Sequence, residues 1–192
     1  MASLIDAAEQ VFAAAGYNAA TTNAIAAQAK VSTGTLYQFF PDKESMAEAL
    51  ADRFAGQLAK LHESLEPAIL ARLPPEELAA NVVDPLLGFH RKHPAFEALF
   101  VEARLSRDAV NRIQELDDAF IRRLAELFLV RAAFLTRKEA LWIAEVCCAI
   151  FKGFLPLISS KTGVRQKRAV SELKAALVRY VSPILDRPRA SG

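Results

Sequence analysis

Apolar residues recur along this 192-residue chain with the period of an α-helix almost everywhere. Residues 4–15 show the pattern well, because their larger side chains fall on one helical face. No stretch alternates apolar and polar residues in the way that a half-buried β-strand does. The spacing therefore predicts an all-α fold of about nine helices.

Turn residues and helix caps divide the predicted helices into two groups. Gly16 is expected to end the first helix as a C-cap, and Thr21 or Thr22 to cap a second over about 22–29. A third helix is predicted over 33–39, and Asp42 caps a fourth that runs to about Leu65. Longer helices follow near 76–93, 94–103, 107–130, 136–160 and 166–185. We therefore expect a small N-terminal domain over 1–47 and a larger helical domain over 48–186.

Composition and motifs exclude several classes of protein. The N-terminus carries Asp6 and Glu9 where a secretory signal needs basic residues, and Lys152 and Pro156 interrupt the most apolar segment. The two cysteines are adjacent, which is not a disulfide framework. No phosphate loop, dinucleotide fingerprint or nucleophile elbow occurs. We expect a cytoplasmic protein with no membrane partner, no cofactor and no enzymatic activity.

A pair of histidines is the only metal-binding pattern in view. His90 and His93 lie three residues apart on one predicted helix, a spacing that can hold a metal. No third ligand accompanies them, and a cationic helix C-terminus is the simpler interpretation. We therefore predict no metal site.

The two short helices near residues 22–39 have the spacing of a helix-turn-helix. On the second of them, Leu36 and Phe40 are four residues apart and are predicted to point inward. The opposite side then presents hydroxyls, an amide and a bare backbone, at Thr33, Gly34, Tyr37 and Gln38. Such groups suit phosphate oxygens and base edges in a DNA major groove, and Gln38 can pair with an adenine through two hydrogen bonds.

About 40 consecutive residues carry a family pattern. In order, they show F-x-x-x-G-Y, T-T-x-x-I-A, V-S-x-G-T-L-Y-x-x-F, and K-E at the head of the fourth helix. This run resembles the DNA-binding domain of the TetR family of transcriptional regulators. The resemblance implies that Thr22 and Asn23 touch phosphate at the start of the supporting helix, and that Lys43 clamps phosphate. It also implies a recognition helix bearing Thr33, Gly34, Thr35, Tyr37 and Gln38, with Gln38 as the base reader.

Three features depart from the family pattern. Lys30 stands in the turn where glycine is common, and a left-handed conformation there costs ~1–2 kcal/mol. Phe39 replaces a residue that often donates to phosphate, and no basic arm precedes the first helix. Residues 1–50 hold two basic and five acidic side chains, a net charge of −3. We therefore expect few phosphate contacts and a shallow salt dependence of DNA binding.

The second predicted domain has two helices suited to pairing with another copy. The helix at 136–160 is apolar on most sides, so it must be covered on most sides. The helix at 166–185 bears one apolar stripe, and the resemblance implies that the last two helices form a two-fold dimer interface.

Aromatic residues concentrate in this domain and are candidates for the lining of an effector cavity, as the resemblance implies. The candidates are Phe89, Phe96, Phe100, Phe120, Trp142, Phe151 and Phe154, with Arg104 as a polar anchor. Packing in the core is the simpler interpretation of any one aromatic residue, and a surface charge is the simpler one for Arg104, Arg122 and His93. A small hydrophobic effector is the expected ligand.

We therefore expect a homodimeric repressor that binds a palindromic operator in double-stranded DNA and is released by its effector. An all-α enzyme is the first alternative, although no paired carboxylates or metal ligands favour it. A helical adaptor without operator binding is the second, and the acidic N-terminal segment keeps it open.

Overall fold

The computed structural model describes residues 2–96, 99 and 106–185, and all the regular elements within them are α-helices. In chain order these nine helices are α1 Ala2–Ala19, α2 Thr22–Gln28, α3 Thr33–Phe39, α4 Lys43–Glu63, α5 Pro67–Leu70, α6 Pro75–Lys92, α7 Arg107–Arg131, α8 Arg137–Ser159 and α9 Gly163–Leu185. The all-α prediction is confirmed. The helix predicted at 94–103 lies largely outside the described residues, and α5 was not predicted.

The chain divides into two compact units. The first comprises Met1–Leu61 and Leu87–Leu116, and the second comprises His62–Leu86 and Asp117–Gly192. The division therefore falls within α4, α6 and α7 rather than in the turns between helices. The predicted domain limits at 1–47 and 48–186 came from turn signals, and they stay predictions.

The first unit is built on one continuous apolar core. Phe12 of α1, Leu36 of α3 and Phe54 of α4 are fully buried in it, together with Ile25, Met46 and Leu50. Burial of one such side chain stabilises the fold by about 1.5–3 kcal/mol. Because Leu36 and Phe40 both turn into this core, as predicted, the opposite side of the short helix α3 faces outward.

The second unit contains the apolar helix α8 and the amphipathic helix α9, which pack against each other. Two arginines of α7 donate hydrogen bonds to backbone carbonyl groups of neighbouring segments in this unit. The guanidinium of Arg123 donates to the backbone oxygens of Leu65 (2.6 Å) and Glu63 (2.9 Å), and that of Arg131 donates to the oxygen of Leu73 (2.6 Å). These charge-assisted bonds satisfy carbonyl groups at the end of α4 and in the turns on either side of α5.

Helix α8 leaves much of its apolar surface uncovered within the single chain. Only 22% of its most apolar 18-residue window is buried. By length and composition α8 could cross a membrane, and no other helix in the described part of the chain passes that test. One such helix is weak evidence for a membrane span, because apolar helices of other proteins pass the same test.

Two backbone positions in the first unit have positive φ angles. Gly16 (φ 77°, ψ 162°) is non-helical and interrupts α1, so the first helical stretch ends at this glycine, as predicted, and a second short stretch follows to Ala19. Lys30 (φ 57°) follows α2, with its N–H bonded to Ala27 (3.1 Å) and the next N–H bonded to Ala26 (3.0 Å). This is a Schellman C-cap, in which the left-handed position is usually glycine. Lys30 therefore adopts the left-handed conformation whose cost was considered above.

Replacement of Lys30 by glycine should stabilise the protein. Glycine adopts a positive φ without the clash that a Cβ makes, so we expect Lys30→Gly to raise the free energy of unfolding by about 1 kcal/mol. The melting temperature should rise by roughly 2–4 °C in calorimetry. Lys30→Ala is the control, since it removes the charge but keeps the Cβ. An equal gain in both variants would assign the effect to charge rather than to backbone strain.

Candidate functional site

The helix-turn-helix is held in place by a cap at the start of each of its helices. The hydroxyl of Thr21 accepts the N–H of Ala24 at 3.1 Å and caps α2, while that of Ser32 accepts the N–H of Thr35 at 3.0 Å and caps α3. Asp42 caps α4 in the same way, at 2.7 Å from the N–H of Ser45. Each cap contributes about 1 kcal/mol. The start of α3, where DNA readers place their contacts, is thus fixed locally.

The outward side of α3 carries the residues predicted to meet DNA. Tyr37 is 51% exposed, and Gly34 and Gln38 are also exposed. The hydroxyl of Tyr37 lies 3.0 Å from Oγ1 of Thr22 on α2, so the two predicted phosphate-contacting hydroxyls share one hydrogen bond. That bond orients the Tyr37 ring before any ligand arrives, which lowers the entropic cost of a contact.

The other predicted DNA contacts differ in how accessible they are. Asn23 and Thr33 are exposed at the first turns of α2 and α3. Thr35 is half-buried, and its hydroxyl lies 2.9 Å from that of Ser32, so it is partly used in capping. Phe39 is 50% exposed on the same helix and presents an apolar ring to solvent.

The ammonium group of Lys43 is bonded within the protein, whereas a phosphate clamp needs an ammonium group that is free to meet DNA. Its ammonium Nζ donates to three backbone oxygens near the end of α1, those of Tyr17 (2.9 Å), Ala20 (3.1 Å) and Asn18 (3.4 Å). It also lies 4.4 Å from the centroid of the Tyr17 ring. The phenol of Tyr17 donates to Glu44 at 3.1 Å, and burial followed by this bond raises the pKa of Tyr17 to about 12.

Two of the acidic residues counted in the N-terminal segment are neutralised by partners outside it. Arg53 of α4 pairs with both Asp6 and Glu9 of α1. Nδ1 of His93 lies 2.7 Å from the second oxygen of Glu9, and this imidazole is only 5% exposed. His93 is therefore not the surface charge that the sequence suggested. The net charge of −3 thus overstates the acidity of the N-terminal segment in its folded surroundings.

Two of the predicted effector residues lie in the first unit. Phe89 and Phe96 form an aromatic cluster with Phe54 and His93, with ring centroids 4.9–6.1 Å apart. Edge-to-face contacts of this kind add to core stability beyond the area they bury. The structure therefore places both residues in packing against α4, and their role toward an effector stays a prediction.

The remaining predicted effector residues belong to the second unit or lie outside the described residues. Phe120 is buried and stacks on His62, with 4.3 Å between the ring centroids. Phe151 and Phe154 are half-buried on α8, whereas Trp142 is 64% exposed there. Phe100 and Arg104 are not among the described residues.

His62 was missed by the sequence reasoning because a lone histidine in an amphipathic helix gives no signal. Within the described residues its buried Nδ1 has no hydrogen-bond partner. Among those residues no group of three or more histidine, cysteine, aspartate or glutamate side chains could hold a metal ion.

A capped helix-turn-helix with a polar outer face, joined to a larger helical unit, defines a DNA-binding regulator of the helix-turn-helix class. Residues 4–50 match the family model described as "Bacterial regulatory proteins, tetR family". Residues 74–180 match "Tetracyclin repressor-like, C-terminal domain". The second match alone covers more than half of the chain, and the chain belongs to the TetR family of transcriptional regulators. Members of this family are generally DNA-binding proteins without enzymatic activity.

Two relatives from Bacillus subtilis (strain 168) resemble the chain in sequence, and both are described as uncharacterized HTH-type transcriptional regulators. YhgD is 28% identical over 111 residues, which is 57% of this chain and 56% of that protein. YvkB is 29% identical over 112 residues, which is 58% of this chain and 57% of that protein. The alignment thus spans little more than half the length of either relative.

Solved structures resemble the chain over nearly its full length. The TetR-family regulator PfmR from Thermus thermophilus superposes with a TM-score of 0.71 at 14% identity, covering 92% of this chain and 97% of PfmR. The TetR-like regulator LfrR from Mycobacterium smegmatis, solved in complex with proflavine, gives a TM-score of 0.64 at 18% identity, with 92% of each chain covered. At such identities the likeness shows the fold.

Burial of His62 should make the stability of the protein depend on pH. Burial lowers the pKa of His62 from 6.5 to about 4, against a smaller opposing effect of Asp117. Below pH 6.5 the unfolded chain therefore binds a proton that the folded chain does not. The free energy of unfolding should fall by roughly 2 kcal/mol between pH 6.5 and about pH 5 because of this residue.

The variant His62→Phe keeps a ring against Phe120 and removes the titration, so its stability should decline less over the same pH range. Denaturant unfolding at each pH measures the difference. His90→Phe serves as a comparison, because burial also lowers the pKa of His90 to about 4 and its removal should flatten the profile similarly. Parallel profiles for the wild type and His62→Phe would contradict the assignment.

Proposed function

We propose that this chain is a homodimeric, ligand-responsive repressor that binds a palindromic operator in double-stranded DNA. The observation that carries the proposal is the exposed polar side of α3, which faces away from a core that holds Leu36 completely. Hydroxyl, amide and bare-backbone groups on a helix of this size fit the width of a major groove. Tyr37, tied to Thr22, is set to contact the backbone, and Gln38 is set to read a base.

Dimerisation is supported by the uncovered apolar surface of α8. Ala149 and Gly153 lie one turn apart on its exposed side, and a Cβ built on Gly153 meets no atom within 4 Å in the single chain. Small residues on an exposed helix face allow a second helix to approach closely. A symmetric pair of chains covers this face and presents two recognition helices to half-sites ~34 Å apart on one side of the DNA.

A small hydrophobic effector is the proposed ligand. LfrR, which shares the fold, was solved with proflavine bound, and this supports a small-molecule site in the family. In the second unit of this chain, Phe120 and His62 offer a stacked ring pair with an unused imidazole nitrogen. Phe151 and Phe154 add apolar surface on α8. Binding changes operator affinity only through a difference in effector affinity between two states of the protein.

The ionic network around Glu9 provides the coupling within the first unit. His93 follows the last turn of α6, Glu9 lies on α1 and Arg53 on α4, and the Glu9 carboxylate joins all three. A displacement at the end of α6 therefore acts on the helices that carry the DNA-binding surface. We propose that effector binding uses this connection to change the separation of the recognition helices in the cytoplasmic regulator.

Operator selection from a random-sequence duplex pool tests DNA binding directly, and Gly34→Ala tests the proposed face. A Cβ at Gly34 meets only Oγ of Ser32 at 3.7 Å, an ordinary contact, so the variant should fold at least as stably as the wild type. On DNA the added methyl group separates the backbone of α3 from the groove. We expect operator affinity to fall at least tenfold while the melting temperature stays equal or rises.

Tyr37→Ala accompanies this variant and should also abolish operator binding without loss of the dimer. Fluorescence anisotropy with the selected duplex and with a scrambled duplex gives both affinities. Unchanged affinity in both variants would remove this face of α3 from the interface. Absence of any selected sequence for the wild type would favour the helical adaptor instead.

Ala149→Glu tests the dimer. The substitution places a carboxylate on the exposed face of α8, where a second copy would bury it without a partner. We expect sedimentation equilibrium to give about twice the 21.0 kDa chain mass for the wild type, and a dimer dissociation constant at least tenfold larger for the variant. Ala133→Glu makes the same change at an exposed alanine between α7 and α8 and should remain dimeric. A dimeric Ala149→Glu protein would place the interface elsewhere.

A further inference from the structure

We propose that Lys43 is a positioning residue that closes the end of α1 and orders the DNA-binding helices, rather than a ligand of DNA phosphate. This inference rests on the proposed operator binding and refines it at one residue. On this view Lys43 takes part in an internal hydrogen-bond network instead of the phosphate contact that the family resemblance implies. Lys43 then does not contribute to the salt dependence of DNA binding.

The hydrogen-bonding capacity of Lys43 is already used inside the protein. A lysine ammonium has three N–H donors. Three backbone oxygens lie within hydrogen-bond distance of Nζ, and all three belong to the end of α1 or to the turn that joins it to α2. The face of the Tyr17 ring adds a cation–π contact at 4.4 Å. A phosphate oxygen can bind this group only by displacing one of these partners.

The surroundings of Lys43 also disfavour an anion. Its neighbours Asp42 and Glu44 are both acidic, so this short stretch carries a net negative charge. The carboxylate of Asp42 already accepts one N–H at the start of α4, that of Ser45. One of the exposed amides that make a helix start attractive to phosphate is therefore taken, and the cap that takes it is itself negatively charged.

The carbonyl groups that Lys43 holds lead directly to the DNA-facing residues. Ala20, whose oxygen accepts from Nζ, is followed by Thr21, which caps α2, and by Thr22, which is bonded to Tyr37 of α3. The kink at Gly16 brings Tyr17 under the ammonium, with the Tyr17 ring 5.4 Å from that of Phe12. One ammonium thus fixes the path of the chain from α1 into the helix-turn-helix.

The test compares Lys43→Met with Lys43→Arg and the control Lys30→Met, which removes a charge from an exposed lysine in the same unit. We measure melting temperatures, and then operator affinity across a salt series on the selected duplex. The inference predicts a lower melting temperature for Lys43→Met than for Lys30→Met. It also predicts that operator affinity falls about equally at every salt concentration, so that the salt slope stays within about 0.3 of the wild-type value.

Opposite results would overturn the inference. Loss of a phosphate contact in each protomer lowers the slope of log affinity against log salt by about 1.8 for the dimer, with little change in melting temperature. Lys43→Arg separates the two roles further. A planar guanidinium can still reach phosphate but cannot replace one ammonium within three carbonyl groups. We therefore expect Lys43→Arg to melt below the wild type and to bind operator more weakly. Full retention of both properties in Lys43→Arg contradicts the positioning role.

The melting comparison does not involve DNA, so it decides the internal role of Lys43 even if the wild-type chain selects no operator. In that case the proposed function fails, whereas equal melting temperatures of Lys43→Met and Lys30→Met would defeat the inference alone. Two-dimensional NMR of the lysine ammonium groups at low temperature adds a direct readout. A slowly exchanging Lys43 signal in the protein without DNA supports the bond network, and a signal lost to fast exchange with water contradicts it.

Discussion

The arrangement of the first unit depends on burial of a few large apolar side chains from α1, α3 and α4 in one core. Phe12, Leu36 and Phe54 leave no alternative orientation for α3, because rotation of this two-turn helix would expose Leu36 and bury Gln38. The polar side of the recognition helix is therefore a consequence of apolar packing on its other side. Capping bonds and the Thr22–Tyr37 bond then refine a geometry that the core has already selected.

Several polar groups near that core bond to one another rather than to solvent. Arg53 and His93 share the carboxylate of Glu9, and Tyr17 and Lys43 share the region at the end of α1. A charge that loses its partner inside a folded chain costs several kcal/mol, so each of these groups constrains the position of the other. Helices far apart in sequence are thereby held in fixed positions relative to one another within the first unit.

Helices and their caps followed from the sequence because the signals are local. Thr136 and Glu139, three residues apart, form a capping box at the start of α8. Asp42 caps α4 by accepting the N–H of Ser45, three residues later. The internal bonds of Lys43 and His93 were not predicted, because their partners lie 23–26 and 84 residues away along the chain and no local pattern reports such pairings.

Hydrophobicity alone also cannot distinguish a side chain that is buried in the core from one that is exposed on the surface. Phe89 is buried and Trp142 is exposed, yet both were grouped as cavity residues.

The exposed position of Trp142 makes intrinsic fluorescence a useful probe of this protein. Trp142 is the sole tryptophan of the chain, and its indole is exposed to water on α8, the helix whose apolar surface is largely uncovered within the single chain. An indole in water emits at longer wavelength and is open to collision with dissolved quenchers, whereas an enclosed one is shielded from both effects. Intrinsic fluorescence of the unlabelled protein therefore reports events at this one helix, undiluted by emission from any other tryptophan.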